Sequence, residues 1–576
     1  MANTRKRLLA ASAATALVVT LAACGSGNDD NGDGPSGDGA SAKKGGTLTY
    51  LLASPLGHTD PQRVYVGRDI SNLSRTVYRQ LVTFGTSSDL ETANTPVADL
   101  ATDTGTSTEG GKVWEFTVRD DVKWQDGKPI TCEDFKYGAS RAFANDVITG
   151  GPNYILSYLD VPSDPDGSPT YKGPYTGKGQ ADFDKAITCD GQKITYRFKK
   201  AWPDFPLAVA ALHMMDPYRK DMDKGDGSNF QIFSNGPYML KGTWEENTGG
   251  TFVRNPEYDP ASDETKSRGA YPEEIVFKIG STPETINDLL IQDSPEAQTA
   301  VSGNRILPQY IAQAAGLGDR YDNVESPYVD YLVPNTKRLS LEVRNALAVS
   351  TNVDGWITAG GGDKFYKPAS SIVNPSVPGY KSLPQFENVG GGDPDAAKKI
   401  LTDAGVAMPY KIKFTFDGAT ETAKKQAAAL KDTWDKSGFD VTLNPLTDAY
   451  YPTIQDPNSD SDLTWAGWGA DWPSALTVTA PLFDSRINLT PSSNNQDYGN
   501  YKSDEFNKLV DEAQAAGTVE EQTAALQKAD EVLGKDYAYI PLEQALFNWV
   551  HGSKIGTFAT TPASNGFPDL GLISLK

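Results

Sequence analysis

Three of the ten tryptophans in this 576-residue chain lie within eight residues of one another, around a single carboxylate. The segment reads WAGWGADWP, residues 465–473, and the carboxylate belongs to Asp471. Indole rings beside a carboxylate reduce solvent screening, so a charge-assisted hydrogen bond to a cation there contributes about 1.5–3 kcal/mol. The alternative is that Asp471 caps a helix beginning through Pro473 and Ser474, with the tryptophans in the core. Capping and cation pairing can coexist.

Two glycines in the same segment leave its backbone open to close approach. Gly467 and Gly469 alternate with tryptophan and alanine in what reads as a strand. Such a strand suits β-augmentation, in which an extended peptide pairs with the strand backbone whatever its side chains are.

Candidates for catalysis or metal binding are few. The three histidines, His58, His213 and His551, are scattered without a motif, so a His-rich metal centre is nearly excluded and we expect no metal or other cofactor. A secreted glycosidic hydrolase needs only paired carboxylates, but 75 acidic residues guarantee accidental pairs. We therefore expect a protein that is not an enzyme and keep the hydrolase as a remote alternative.

The N-terminus indicates export. Arg5, Lys6 and Arg7 precede an apolar run over residues 8–21, which is too short to span a bilayer as a permanent helix and is typical of a signal peptide. The run ends in LAACG, residues 21–25, which resembles the bacterial lipobox. That resemblance implies cleavage after residue 23 and a diacylated sulfur on Cys24, with an ordinary secretory peptide as the alternative.

Residues 24–46 contain no large apolar side chain and are expected to form a flexible Gly/Asp/Ser tether. A coil of this length spans roughly 25 Å, so it would hold a folded body just off a membrane surface. Removal of residues 1–23 takes away three cations, and the mature charge becomes 50 − 75 = −25. This negative charge disfavours nucleic acid as a partner.

Two cysteines remain in the body, Cys132 and Cys189. An exported protein folds in a disulfide-permissive compartment, so a single bridge between them is expected, with free buried thiols as the alternative. Neither cysteine has a nearby base in the sequence, which argues against a catalytic thiol.

The body is too long for one hydrophobic core, and two or three lobes are expected. Its first part is rich in strand patterns, with turns predicted at Asp126-Gly127 and Asp190-Gly191 and a helix capped by Thr131. Later, residues 410–416, 420–438 and 439–446 read as strand, helix and strand. This βαβ unit predicts an α/β lobe with a mostly parallel sheet. Further helices are predicted over residues 393–404, 503–516 and 519–533, closed by Gly405, Gly517 and Gly534.

Six ordered segments resemble the family 5 extracellular solute-binding proteins, the peptide and nickel receptors of ABC importers. They are YRQLVTFG...PVADLA...WEFTVRDDVKWQDGKPITCEDFKYGASRAF (78–143), NGPYMLKGTW...VRNPEYD (235–259), VRNALAVSTNVDGWI (343–357), DPDAAKKILTDAG (393–405), WAGWGADWPSAL (465–476) and NYKSDEFNKLVDEA (500–513). The likeness covers the chain from about Thr47 to its C-terminus.

The resemblance implies an α/β, two-lobe fold of the periplasmic-binding-protein kind, type II and cluster C-like. Its first lobe would comprise residues 47–83, 232–334 and 542–576, with an extra β-rich subdomain at 84–231. The second lobe would comprise residues 335–541. The chain would cross between the lobes near Pro334-Asn335 and return near Tyr539–Gln544.

The resemblance also assigns roles at the site. In peptide-binding members an aspartate at the position of Asp471 pairs with the ligand's α-ammonium, and Gly467 and Gly469 would offer backbone groups to the same ligand. Trp468 would line a pocket for a ligand side chain, with core packing as a close alternative. The loop at residues 58–61 would face the cleft, or else form a surface turn. No motif selects the residues for the ligand's C-terminus.

The function implied is a monomeric, lipid-anchored receptor on the extracytoplasmic face of the bacterial cell membrane. It would capture oligopeptides by lobe closure and pass them to the permease of an ABC importer. An oligosaccharide receptor of the same fold is the alternative, because tryptophans such as Trp465, Trp468 and Trp472 also stack on sugar rings.

Overall fold

The computed structural model describes residues 42–87, 89–152, 154–165, 167–263, 265–387, 390–489 and 495–576. The expected signal peptide, Cys24 and most of the expected tether lie outside the described residues. The tether was expected to run to Gly46, but Lys43 already forms a β-bridge with Leu575 and the Gly45 N–H donates to the Tyr271 carbonyl at 2.7 Å. The folded body therefore begins before Thr47, because backbone groups can pair even where side chains are too small to pack.

Strands in the described residues are short in the first half of the chain and longer in the second. They are β1 (Thr47–Leu52), β2 (Val82–Phe84), β3 (Pro96–Ala98), β4 (Thr106–Thr108), β5 (Val113–Thr117), β6 (Ile187–Asp190), β7 (Lys193–Arg197), β8 (Tyr238–Glu245), β9 (Gly249–Arg254), β10 (Glu274–Ile279), β11 (Ala300–Ser302), β12 (Tyr321–Pro334), β13 (Tyr366–Pro368), β14 (Tyr410–Asp417), β15 (Phe439–Leu446), β16 (Leu463–Gly469), β17 (Ile540–Val550), β18 (Ile555–Thr557) and β19 (Ser574–Leu575).

Helices are distributed along the whole body. They are α1 (Gly67–Thr76), α2 (Leu90–Ala93), α3 (Cys132–Arg141), α4 (Tyr154–Tyr158), α5 (Gln180–Ala186), α6 (Phe205–Ala211), α7 (Pro283–Ile291), α8 (Ile311–Ala314), α9 (Leu341–Ser350), α10 (Val353–Gly360), α11 (Pro394–Asp403), α12 (Glu421–Lys436), α13 (Tyr450–Ile454), α14 (Leu476–Phe483), α15 (Ser485–Asn488), α16 (Asp504–Ala515) and α17 (Val519–Lys535). Among the described residues, none of them has the length and apolar character that a membrane span requires.

The first half of the body contains two larger sheets, and β2 and β3 form a separate antiparallel pair. A five-stranded sheet has the order β11-β1-β10-β9-β8, in which β1 runs parallel to both β10 and β11. A four-stranded antiparallel sheet has the order β4-β5-β7-β6, and β6 and β7 form the hairpin expected at Asp190-Gly191. Both sheets contribute to one buried core that also includes the C-terminal residues Leu570 and Ile573.

The two body cysteines meet where helix α3 packs on the four-stranded sheet. Thr131 caps α3 in a capping box with Asp134, so the helix starts at Cys132 as its sequence predicts. Cys189 lies on β6, and its sulfur is 1.97 Å from that of Cys132, with the two Cα atoms 5.9 Å apart. The structure therefore joins the two cysteines in a disulfide that ties the helix to the edge of the sheet.

The second half contains a six-stranded sheet with the order β13-β17-β12-β16-β14-β15. The predicted βαβ unit is confirmed, because β14 and β15 are parallel and α12 connects them. The prediction of a mostly parallel sheet is wrong. Strands β12 and β17 run antiparallel to each other. Strand β13 is antiparallel to β17, and β16 is antiparallel to β12. Helix α17 also continues through Gly534 to Lys535, one residue past the glycine expected to close it.

Strands β12 and β17 link the two halves of the body. They are 14 and 11 residues long and pair along most of their length. The second core contains residues from Tyr331 to Leu542, so it takes in the end of β12 and the start of β17. The opposite ends of both strands pack against first-half residues in smaller clusters that include Tyr321 and Val550. Both strands thus pass side by side from the second core to smaller clusters that contain first-half residues.

Candidate functional site

A cavity of about 440 Å³ lies between elements of the first half and the C-terminal end of β16. Its walls include Ile70 from α1, Phe84 from β2 and Tyr328 from β12. Residues 467–473, which contain the glycines and the aspartate singled out in the sequence, also line it. The volume is within the range of small-ligand pockets, roughly 300–1,000 Å³.

Asp471 is half-buried at this cavity and is held by two tyrosines from the first half of the chain. The hydroxyl of Tyr65 donates to Asp471 Oδ2 at 2.8 Å, and the hydroxyl of Tyr154 donates to the same oxygen. No ion pair among the described residues includes Asp471, so its negative charge has hydroxyl donors but no cation. An unpaired carboxylate in a cavity is the arrangement that a cationic ligand group would complete.

The electrostatics of Asp471 fit this interpretation. Burial raises the pKa of its carboxyl to about 6, although the two phenol hydrogen bonds favour the ionised form. The carboxylate therefore titrates close to neutral pH, and a cation placed beside it would lower its pKa again.

Asp471 does not cap a helix, which corrects the alternative drawn from the sequence. Helix α14 begins at Leu476 with no side-chain cap from its N-cap residue, Ala475. The Asp471 backbone N–H instead donates to Thr477 Oγ1 at 3.0 Å, which fixes the loop while the carboxyl faces Tyr65 and Tyr154.

The three tryptophans occupy different environments. Trp472 is 1% exposed and packs into the core of the first half, with its indole N–H donating to Asp204 Oδ2 at 2.6 Å. Trp468 lines the cavity and is half-buried, packs on the second core, and donates its N–H to the Thr477 carbonyl at 2.9 Å. Trp465 is also half-buried against the second core. The sequence could not distinguish these environments, because all three residues share one motif.

The backbone of β16 has a free edge beside the cavity. One edge pairs with β12 along the whole strand, and the other pairs with β14 only at Leu463 and Thr464. From Trp465 to Gly469 no strand among the described residues covers that second edge, and Gly467 is exposed. Unpaired strand groups of this kind form hydrogen bonds with an added strand.

Tyr65 and Tyr154 were not identified from the sequence. They lie 406 and 317 residues from Asp471 along the chain, among 26 tyrosines, and no motif marks either of them. The loop at residues 58–61 was expected at the cleft or on the surface, but Asp60 is buried and accepts from Arg141 at 2.8 Å. Within the described ranges, no group of three or more His, Cys, Asp or Glu side chains could hold a metal ion.

Comparisons with known proteins agree with this architecture. Over 556 residues the chain is 25% identical to the periplasmic oligopeptide-binding protein OppA of Salmonella typhimurium, with 94% of this chain and 93% of that protein covered. It is 23% identical to the oligopeptide-binding protein OppA of Bacillus subtilis, with 93% and 94% covered.

Solved structures show the same fold. The clavulanic acid biosynthesis oligopeptide binding protein 2 superposes with a TM-score of 0.82 at 24% identity, covering 92% of this chain and 96% of that one. OppA of Haemophilus influenzae in complex with RPPGFSPFR gives a TM-score of 0.66 at 18% identity, covering 93% and 100%. Residues 95–489 match the family described as "Bacterial extracellular solute-binding proteins, family 5 Middle". The chain therefore belongs to the family 5 bacterial extracellular solute-binding proteins.

Proposed function

We propose that this protein is a lipid-anchored receptor that captures oligopeptides between two lobes and delivers them to the permease of an ABC importer. One lobe comprises residues 47–83, 232–334 and 542–576, with the subdomain at 84–231, and the other comprises residues 335–541. The relatives named as oligopeptide-binding proteins, which match over nearly the whole chain, support peptide as the ligand class.

The observation that carries the proposal is the unpaired carboxylate of Asp471 next to the free edge of β16. A peptide with a free N-terminus offers an ammonium for the carboxylate and backbone groups for the strand. The exposed strand edge and the carboxylate both line the cavity, and they lie within the five residues from Gly467 to Asp471. An extended peptide would satisfy them together.

The packing of the tryptophans does not favour the oligosaccharide alternative. A sugar platform presents an indole face to the ligand, whereas Trp472 is buried in the core and Trp465 packs on the second core. Only Trp468 combines partial exposure with a place on the cavity wall beside Asp471.

Contacts between the two proposed lobes support capture by closure. The Asp471 carboxylate accepts from Tyr65 and Tyr154, and Trp472 donates to Asp204. Each of these bonds joins the segment after β16 to the first half of the chain. Opening the lobes would break all three hydrogen bonds. The site for the ligand's ammonium is therefore complete only when the lobes are closed.

Native mass spectrometry of protein purified from its host tests the ligand class directly. We expect bound species whose masses fragment as short peptides, because a closed cavity releases its ligand slowly. Recovery of glycans instead of peptides would contradict the proposal in favour of the sugar receptor. Conversion of a peptide or glycan panel into excess product would contradict a binding role.

The anchor has its own test. Cys24→Ala removes the sulfur that the lipobox-like segment would present for acylation, so the variant is expected in the medium or as uncleaved precursor. Membrane fractionation followed by immunodetection measures this. The Cys189→Ala variant is the control and is expected to stay with the membrane. A Cys24→Ala protein that still sediments with membranes after a high-salt wash would contradict lipid anchoring.

A further inference from the structure

A pair of carboxyls lies beneath the free part of β16. In the register of the sheet, Gly467 on β16 lies opposite Asp330 on β12, and Asp330 lies opposite Glu543 on β17. Directly opposite residues project to the same face of a sheet, so the two acidic side chains and the open position at Gly467 form one row.

Gly467 leaves room over Asp330. A Cβ atom added at Gly467 would stand 2.5 Å from Asp330 Oδ1 and 3.8 Å from the ring of Trp465. Asp330 is half-buried and Gly467 is exposed and lines the cavity. The Asp330 carboxyl thus occupies the space that a side chain at Gly467 would need, next to a residue of the cavity wall.

Glu543 has no cationic partner among the described residues. It is 0% exposed, and the polar groups nearest its carboxyl are the Asp330 carboxyl and the Trp356 indole N–H. The indole N–H of Trp356 faces Glu543 and that of Trp465 faces Asp330, and each lowers the pKa of the carboxyl it faces. A buried acidic pair without a cation costs stability when it is ionised, and a cation beside it would offset that cost.

No cationic side chain in the described residues forms an ion pair with either of these two carboxyls. The nearby Arg305 lies 4.7 Å over the ring of Phe547. Burial raises the pKa of Asp330, and burial together with the Asp330 charge raises that of Glu543. A cation brought in by a ligand would reverse this destabilisation of the ionised form.

We infer that Asp330, backed by Glu543, forms a subsite for the cationic side chain of a bound peptide. This inference rests on the proposed function and adds a preference for a lysine or arginine at one position. The position follows from strand spacing. A peptide whose N-terminus is at Asp471 and whose first residue lies opposite Gly469 places its third residue opposite Gly467, because antiparallel strands pair residue by residue. That side chain would project to the Asp330 face.

Tetrapeptides of alanine with one lysine at positions one to four test the inference by calorimetry. Norleucine in place of lysine is the matched probe, since it keeps the four-carbon chain and lacks the ammonium. We expect lysine at position three to bind about tenfold tighter than norleucine. At the other positions we expect less than about threefold difference.

The Asp330→Asn variant is expected to lose the lysine preference while still binding the norleucine peptide. Glu325→Gln is the control, because Glu325 lines the same cavity but is exposed and pairs with Lys367. It should keep the preference. If Asp330→Asn does not fold, competition between lysine and norleucine peptides on the unmutated protein, measured by native mass spectrometry, still decides whether position three prefers lysine.

The outcomes separate this inference from the function on which it rests. Peptides that bind without any preference for lysine at position three would overturn the subsite and leave peptide capture standing. A preference that survives in Asp330→Asn would overturn the assignment to this residue. Absence of binding for every tetrapeptide would overturn the proposed function and the subsite with it.

Discussion

Replacing Asp471 with asparagine is expected to weaken binding of a free tetrapeptide at least about 30-fold. The asparagine keeps the shape and can still accept from Tyr65 and Tyr154, so the change removes the charge and little else. Loss of one partner from a desolvated charge pair costs on the order of 2–5 kcal/mol. Isothermal calorimetry on both proteins measures the difference.

The control for this variant is Glu325→Gln, which removes a carboxylate from the same cavity at an exposed position. It should change the affinity by less than about threefold, as expected of an exposed charge. An Asp471→Asn protein that binds as well as the control would contradict the role given to Asp471.

Binding should also weaken as the pH falls through about 6. The ammonium binds the ionised carboxylate, and burial raises the pKa of Asp471 to about 6, so its protonated fraction grows below that pH. Well below it, affinity is expected to drop by up to about tenfold per pH unit. The Asp471→Asn protein should lose most of this dependence. An unchanged pH profile in the variant would assign the titration to another group.

Replacing Trp472 with phenylalanine is expected to weaken peptide binding about 10- to 100-fold. The indole N–H donates to Asp204, which is itself buried, and the ring packs against Tyr154 with centroids 4.6 Å apart. Trp472 belongs to the segment proposed for the second lobe, yet it is buried in the core of the first half of the body. If the lobes open, the substitution acts on closure and leaves each lobe folded.

Trp434→Phe is the matched control, because Trp434 is also fully buried but lies within the second core alone. It should lower the melting temperature with little effect on the affinity of the folded protein. Trp472→Phe should weaken binding with little effect on the melting temperature. Small-angle scattering with saturating peptide should show a larger fraction of open molecules than in the unmutated protein. Equal effects of the two variants on affinity would contradict the closure role of Trp472.

Local patterns predicted the elements that depend on local interactions. The βαβ unit follows from alternation over residues 410–416 and 439–446 around a helix, and Thr131 caps α3 where its sequence indicates. In each of these cases the residues that determine the structure are within a few positions of one another.

Contacts between distant segments could not be predicted from local sequence patterns. The mixed sheet arises because β12 and β17 pair across more than 200 residues, and no periodicity encodes their direction. The phenols at Asp471 come from two segments near the start of the body. Asp330 and Glu543 lie in strands whose apolar neighbours gave no reason to select them, and only the register places both carboxyls beside Gly467.

The most direct test of the central claim combines the Asp471→Asn substitution with acetylation of the peptide N-terminus. Both changes break the same interaction, so their effects on affinity should not add. Calorimetry on the four combinations is expected to show a loss of at least about 30-fold on acetylation in the unmutated protein and little further loss in the variant. Equal affinity of the unmutated protein for free and acetylated peptides would contradict ammonium capture, as would losses that add.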